Sequence, residues 1–153
     1  MRGETTVMSD DGGTGITTRL ARETDDQRCA EIFLASRQAA FHWQPGSSFD
    51  LEDYYRSVED EEVWVAEVGG TIVGFASIYR PENHVHNLFV DPHWQHRGVG
   101  TTLLEHACTR LPRPARLRCL ATNQGARAFY ERNGWVLEAQ APLVDDPYVL
   151  YRK

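Results

Sequence analysis

Lysine is almost missing from this chain: of 153 residues, the only one is Lys153, at the end. A nucleotide P-loop, which needs a lysine after its last glycine, is therefore excluded, and so is Schiff-base chemistry in the core. Cysteine is scarce and odd in number, with three residues and no recognisable signal peptide. That pattern predicts reduced thiols in the cytoplasm rather than a disulfide framework. No apolar run approaches the ~20 residues of a membrane span. A basic surplus is also lacking, since the net charge is −6. This argues against a nucleic-acid partner and mildly favours a cationic substrate such as an amine. What is present is ordinary globular usage, 41% hydrophobic and 25% charged, in a chain long enough for one cored domain.

The organisation predicted is a single unit over 16–153 behind a polar, glycine-rich tail, 1–15, expected to be disordered. Residues Ile16–Leu20 read as a strand. Thr24-Asp25-Asp26-Gln27 has the form of a capping box, so a helix should begin there and bury Cys29, Ile32, Phe33 and Ser36. A second helix after Asp50 should bury one face made of Leu51, Tyr54, Tyr55 and Val58. Strands over 63–68 and 71–79 flank Gly69-Gly70, a two-residue hairpin turn, and another strand ends at Val90. Gly100, Leu103, Leu104, Ala107, Cys108 and Leu111 share one face of the next helix. A strand over 117–121, a helix from Asn123 ended by Asn133-Gly134, and strands over 135–138 and 148–152 complete the chain. Alternation of strand and helix from 85 to 138 predicts a partly parallel sheet, with antiparallel hairpins at its N-terminal side.

Chemistry concentrates in two places. Residues 86–100 carry an apolar strand through a turn into a glycine-bearing loop that opens a helix. Such a junction aims backbone N–H groups and the positive end of the helix dipole at one spot, which makes an anion site, most naturally for phosphate. It is not the dinucleotide fingerprint, because Gly98-Val99-Gly100 is followed by Thr101-Thr102-Leu103 with no third glycine. Downstream, Asn123, Phe129-Tyr130 and Gly134-Trp135 form a second cluster behind another strand.

Gln95-His96-Arg97-Gly98-Val99-Gly100 resembles the Q/R-x-x-G-x-G/A loop of the GCN5-related N-acetyltransferases (GNAT), and the Asn123 to Trp135 cluster resembles their second motif. The resemblance covers roughly 16–153. It implies an α/β fold with a mixed central sheet flanked by helices, antiparallel in its N-terminal part and with a parallel pair at the cofactor site. It also implies acetyl-CoA as co-substrate and transfer of acetyl to a primary amine of a small molecule or peptide, by direct attack without a covalent enzyme intermediate. Cys119 is then packing rather than nucleophile. In the family the loop holds the cofactor pyrophosphate, which places Gln95, His96, Arg97, Gly98, Val99, Gly100 and Thr101 there, with glycine at 98 and 100 permitting close approach. Leu88, Phe89 and Val90 match the strand whose peptide groups pair with the pantetheine arm, one N–H polarising the thioester carbonyl. Asn123 matches a residue bonding the pantetheine amides. Tyr130 matches the tyrosine near the sulfur, where a phenol of pKa ~10 serves a leaving thiolate of pKa ~8.5.

For the general base, an imidazole of pKa ~6.5 suits an amine nucleophile. His84 and His86 lie two apart on one strand and should face the same side as Leu88 and Val90; His86 is the candidate base and His84 a substrate contact. Many relatives carry a Glu near this position. The ribosomal-protein N-terminal acetyltransferases of the family place a Glu five residues before the Asn, where this chain has Arg118. Arg118 either binds a substrate carboxylate or pairs with Glu67 or Glu131. Phe41, His42 and Trp43 occupy the region that lines the acceptor pocket in relatives. Two alternatives stand beside this reading: a metal-binding protein using His84, His86, His93 and His96 in place of the expected metal-free site, and an inactive module that binds CoA as a sensor. An edge strand near the C-terminus offers pairing in a homodimer.

Overall fold

The computed structural model describes residues 15–40, 49–138 and 147–153. The expectations for the tail and for Phe41, His42 and Trp43 fall outside these, apart from Gly15. In chain order the elements are β1 (Ile16–Leu20), α1 (Asp26–Ala40), α2 (Glu52–Ser57), β2 (Glu62–Val68), β3 (Thr71–Tyr79), β4 (His84–Val90), α3 (Val99–Thr109), β5 (Arg116–Leu120), α4 (Gln124–Arg132), β6 (Val136–Leu137) and β7 (Tyr148–Arg152).

The strands form one sheet in the order β1-β2-β3-β4-β5-β7-β6. Its first four strands are antiparallel neighbours. Gly69 and Gly70 make the β2–β3 turn with φ of 57° and 82°, the pair of positive values that a two-residue hairpin demands. The α1 and α2 helices cover one face, where Ile32, Phe33, Tyr54, Val63, Val65 and Phe75 are buried together. On the other face α3 packs Val99, Leu103, Leu104 and Ala107 against Val73, Ala76, Ile78 and Leu117. The close approach of α3 explains a glycine in the middle of β3: a β-carbon on Gly74 would stand 3.0 Å from both Val99 Cγ1 and Phe89 O.

Two sequence expectations are corrected. The chain enters α1 through a 3₁₀ turn, Glu23–Asp25, and the capping carboxylate is Asp25, which accepts from the Arg22 N–H at 2.7 Å. Asp25 is better placed than Thr24 because it also takes both guanidinium nitrogens of buried Arg19, at 2.7 and 3.1 Å. Of the proposed face, Tyr54 on α2 and Val58 just beyond it are buried, while Leu51 and Tyr55 stay exposed at 41% and 42%. A six-residue helix turns too little of itself toward the sheet to bury four side chains. The expected parallel pair is present as β4–β5, and among the described residues it is the only one, because β7 inserts antiparallel between β5 and β6.

That pair positions everything that follows. It is registered only at His84↔Arg116 and Val85↔Leu117. Beyond Val85, β4 keeps its partner β3 on one side, and the ladder to β5 ends. The peptide groups of 86–90 on that edge face an opening in the sheet, where backbone donors and acceptors must find partners elsewhere. The lone lysine is occupied, donating from Lys153 Nζ to the Asn133 carbonyl at 2.7 Å and so satisfying the C-terminal end of α4.

Candidate active site

A cleft of about 560 Å³ lies along the β4 edge between α3 and α4. Leu88, Phe89, Val90, Gln95, His96, Gly98, Gly100, Thr101 and Tyr130 line it, and so do Ser36, Ala40, Trp94, Gly125, Ala126, Phe129, Arg132 and Asn133. The second group was not among the predicted site residues, although Gly125, Ala126, Phe129, Arg132 and Asn133 fall within the Asn123 to Trp135 cluster. Trp94 and Phe129 adjoin predicted residues, but nothing local marks Ser36, which reaches the site by donating its hydroxyl to the Val90 carbonyl at 2.9 Å from α1.

At the mouth of α3 the chain turns through His96 at φ 64° and Gly98 at φ 87°. Gly98 is the N-cap and offers no side chain, and the first intrahelical bond is Thr102 N–H to Gly98 O at 3.0 Å. The N–H groups of Val99, Gly100 and Thr101 are thus left without a helical acceptor, and the dipole adds to them. The two glycines serve different ends. A β-carbon on Gly98 would meet nothing within 4 Å, so its backbone angle is what requires glycine, whereas one on Gly100 would lie 3.3 Å from the Phe129 ring. Val99 sends its side chain into the core at 1% exposure, and Arg97 lies over the Trp94 ring at 4.8 Å, so each contributes to the loop chiefly through its backbone.

From the other wall, α4 presents Tyr130 between Phe129 and Tyr151, with ring centroids 5.5 and 6.1 Å away. Burial, with a smaller effect from Cys119, pushes its phenol up to about 12. The hydroxyl therefore stays protonated at neutral pH, the form that donates to a departing thiolate. Asn123 is the N-cap of α4, accepting the Ala126 N–H at 3.1 Å, and the cleft residues nearest to it in sequence are Gly125 and Ala126. Cys119 is buried and its thiol is pushed up by that burial, away from nucleophilic use.

The histidines depart from the simple strand alternation. In the β3–β4 ladder Ser77 pairs with Asn87 but Ile78 pairs with Val85, so His86 is the extra residue of a β-bulge. Val85 therefore packs on the α3 face together with Leu88 and Val90, while His84 and His86 line a separate pocket with Glu61, Tyr79, Glu82, Arg118 and Tyr148. The predicted shared face of His84 and His86 holds, but Leu88 and Val90 are not on it. Burial lowers the His84 pKa, helped by positive charge from Arg118 and His86. His86 is raised, first by its bond to Glu61 at 2.5 Å. Two imidazoles in one pocket are thereby driven apart in acidity.

Arg118 forms neither of its expected ion pairs. Glu67 is taken by Arg19 and Glu131 accepts from the Tyr151 hydroxyl at 2.6 Å, leaving the Arg118 guanidinium 4.6 Å over the Tyr148 ring inside the histidine pocket. Among the described residues no group of three or more His, Cys, Asp or Glu side chains is placed to hold a metal ion. The metal alternative loses its basis because His84 and His86 line one pocket while His93 and His96 belong to the loop before α3. Among the described residues no helix is long and apolar enough to cross a membrane.

The β4 edge beyond Val85, the uncapped α3 N-terminus and Tyr130 on α4 thus meet at one cleft of a mixed α/β sheet. The chain belongs to the Acetyltransferase (GNAT) family, whose model matches residues 15–135. It is 34% identical over 128 residues to an uncharacterized N-acetyltransferase of Archaeoglobus fulgidus, covering 73% of this chain and 87% of that one. It is 31% identical over 97 residues to the uncharacterized N-acetyltransferase YafP of Escherichia coli, covering 59% of this chain and 63% of the relative's own length. In fold it is similar to the PaiA N-acetyltransferase of Thermoplasma acidophilum, solved in complex with coenzyme A, with a TM-score of 0.73 at 21% identity over 90% of this chain and 98% of that one.

Proposed function

We propose that this chain transfers the acetyl group of acetyl-CoA to a primary amine of a small molecule or peptide, in a ternary complex. The observation that carries the reading is the β4 edge, left without a β5 partner after Val85 and running directly toward the uncapped first turn of α3. A pantetheine arm supplies the alternating amide groups that such an edge needs, and a pyrophosphate supplies the charge that the helix end attracts. The Gln95 to Thr101 loop would hold the pyrophosphate, with Leu88, Phe89 and Val90 along the arm. A β4 N–H would polarise the thioester carbonyl as the amine attacks, the oxyanion-hole form of stabilisation.

In this reading the amine nitrogen forms its bond to the carbonyl carbon, the C–S bond breaks, and Tyr130 donates its hydroxyl hydrogen to the leaving sulfur. The amine proton goes to His86, in the pocket on the opposite face of the sheet from α3. Asn123 would meet the arm where α4 begins. Arg118 would hold an anionic group of the acceptor, since both of its protein carboxylate candidates are engaged elsewhere. His84 would line the acceptor side as a largely neutral imidazole.

Calorimetric titration of the metal-free protein with acetyl-CoA, and separately with Zn²⁺, tests the frame. Micromolar acetyl-CoA binding without a zinc response is expected. Release of CoA thiol is then followed across monoamines, diamines, amino acids and peptides with free N-termini. Zinc binding without acetyl-CoA binding would overturn the reading, while acetyl-CoA binding with no acetylated amine across the panel would favour the CoA-sensing alternative.

A further inference from the structure

We propose that Glu61, a residue outside both sequence motifs, is the positioning residue of a Glu61–His86 pair that presents the His86 Nε2 lone pair to the acceptor amine. The inference rests on the acetyl-transfer reading of the site. It starts from the carboxylate, whose side chain is 7% exposed just before β2. Both of its oxygens are engaged: Oε2 lies 2.5 Å from His86 Nδ1, and Oε1 accepts from the Ser77 hydroxyl at 2.6 Å. Ser77 is itself buried and accepts from Asn87 Nδ2 at 2.9 Å, which fixes its hydrogen on the Glu61 side. An ionised carboxylate only accepts, so the proton shared with His86 belongs to Nδ1. In the neutral imidazole Nε2 then carries the lone pair.

The bulge makes this possible. Because His86 is the unpaired extra residue of β4, its ring is released from the strand alternation and meets Glu61 across β3, while Asn87 takes the interior position next to Ser77. The imidazole side chain remains 49% exposed to an incoming amine, with the Ser57 backbone and the Asn87 amide, 3.4 Å from Nδ1, as its other polar neighbours. The step balances simply. The amine nitrogen bonds to the acetyl carbon as the C–S bond breaks, its proton passes to Nε2 and then to solvent, the Nδ1–H stays on the Glu61 bond, and the thiolate is protonated by Tyr130, which recovers a proton from solvent.

The test follows the His86 ring nitrogens by NMR in the full chain, with His86→Ala to assign the signal and Glu61→Gln and Glu61→Asp as variants. The charged groups that also face this ring are Arg118 on β5, His84 on β4 and Glu82 after β3, and these are unchanged in every variant. Wild type is expected to show the Nδ1–H tautomer; Glu61→Gln should lower the His86 pKa by about one unit and mix the tautomers, and Glu61→Asp should restore part of both. The acidic limb of kcat, measured with the best amine of the panel, should move down by the same amount while the KM for acetyl-CoA stays within twofold. An unchanged tautomer and pKa in Glu61→Gln would overturn the pair. A shifted His86 pKa with an unmoved acidic limb would overturn its catalytic use and leave only a structural bond. Loss of acetyl-CoA binding in wild type would instead be a failure of the underlying reading, visible without reference to Glu61.

Discussion

Gly100, in the first turn of α3, lies against the ring of Phe129 on α4, so near that a β-carbon at 100 would stand 3.3 Å from Phe129 Cζ. This one contact joins the two motifs that the sequence separates by almost thirty residues, and it sets the width of the cleft between them. Gly100→Val should therefore destabilise the fold by about 1–3 kcal/mol through overpacking and weaken acetyl-CoA binding. Phe129→Ala should remove most of that penalty in the double variant. Additive effects in a chemical-denaturation cycle would show that the two residues do not press on each other.

Gly98 makes a different demand, since its φ of 87° is what glycine supplies there and no neighbour crowds it. Gly98→Ala should cost about 1–2 kcal/mol of local strain. Gly98→Asp adds a negative charge at the helix N-terminus proposed to hold pyrophosphate, and should weaken acetyl-CoA by more than about tenfold by calorimetry, with the circular dichroism spectrum retained. Equal affinity for wild type and the Asp variant would remove the loop from phosphate binding.

Tyr130 is protonated at neutral pH, and burial, which pushes its phenol up to about 12, extends that range upward. Tyr130→Phe should lower kcat by about 100-fold, with acetyl-CoA affinity little changed, because only the hydroxyl on the leaving sulfur is lost. Full turnover in the variant would return Tyr130 to a packing role.

The pH dependence follows from the bond between His86 and Glu61, which favours the imidazolium and raises the His86 pKa. A base acts when neutral, so the acidic limb of kcat/KM should lie above pH 6.5, with activity rising as His86 deprotonates. Stability runs the other way: the contribution of this bond is complete below the unfolded imidazole value and is lost as pH rises through the folded one. His86→Ala should abolish the limb, and a pH–rate profile identical to wild type would assign the proton to another group.

Arg19 and Asp25, each with a side chain 10% exposed, tie β1 to the start of α1. Burial opposes the Asp25 charge, but the Arg19 bond and the Arg22 amide outweigh it and the pKa is lowered. Their stabilisation is present above the ordinary carboxylate range and fades as pH falls through the folded value. Asp25→Ala should cost about 1.5–3 kcal/mol at pH 7, since Arg19 loses this partner but keeps Glu67, measurable by denaturant unfolding.

Much of this was legible in one dimension because the signals are local. Gly69-Gly70 specified its hairpin, the run from Gly100 to Leu111 specified the buried face of α3, and Gly98 marked the bend before it, since each depends on backbone angles or a helical period within a few residues. Glu61, Ser36 and Arg118 were not legible in the same way. Glu61 meets His86 across 25 residues of chain, and Ser36 reaches Val90 across 54. No periodicity links such positions, because only the packed sheet makes them neighbours.

The sequence alone thus determined the family's two motifs, the strand and helix order, and the exclusion of lysine-dependent chemistry, all of which follow from residue types at short spacing. The tertiary structure decided the rest. A one-residue bulge in β4 turned His86 away from the side of Leu88 and Val90 and toward Glu61, β7 displaced β6 from β5, and the parting of β4 from β5 after Val85 opened the cleft. Strand register and partner choice are settled by which faces can be buried together across the whole sheet, a competition in which each residue's immediate neighbours have little say.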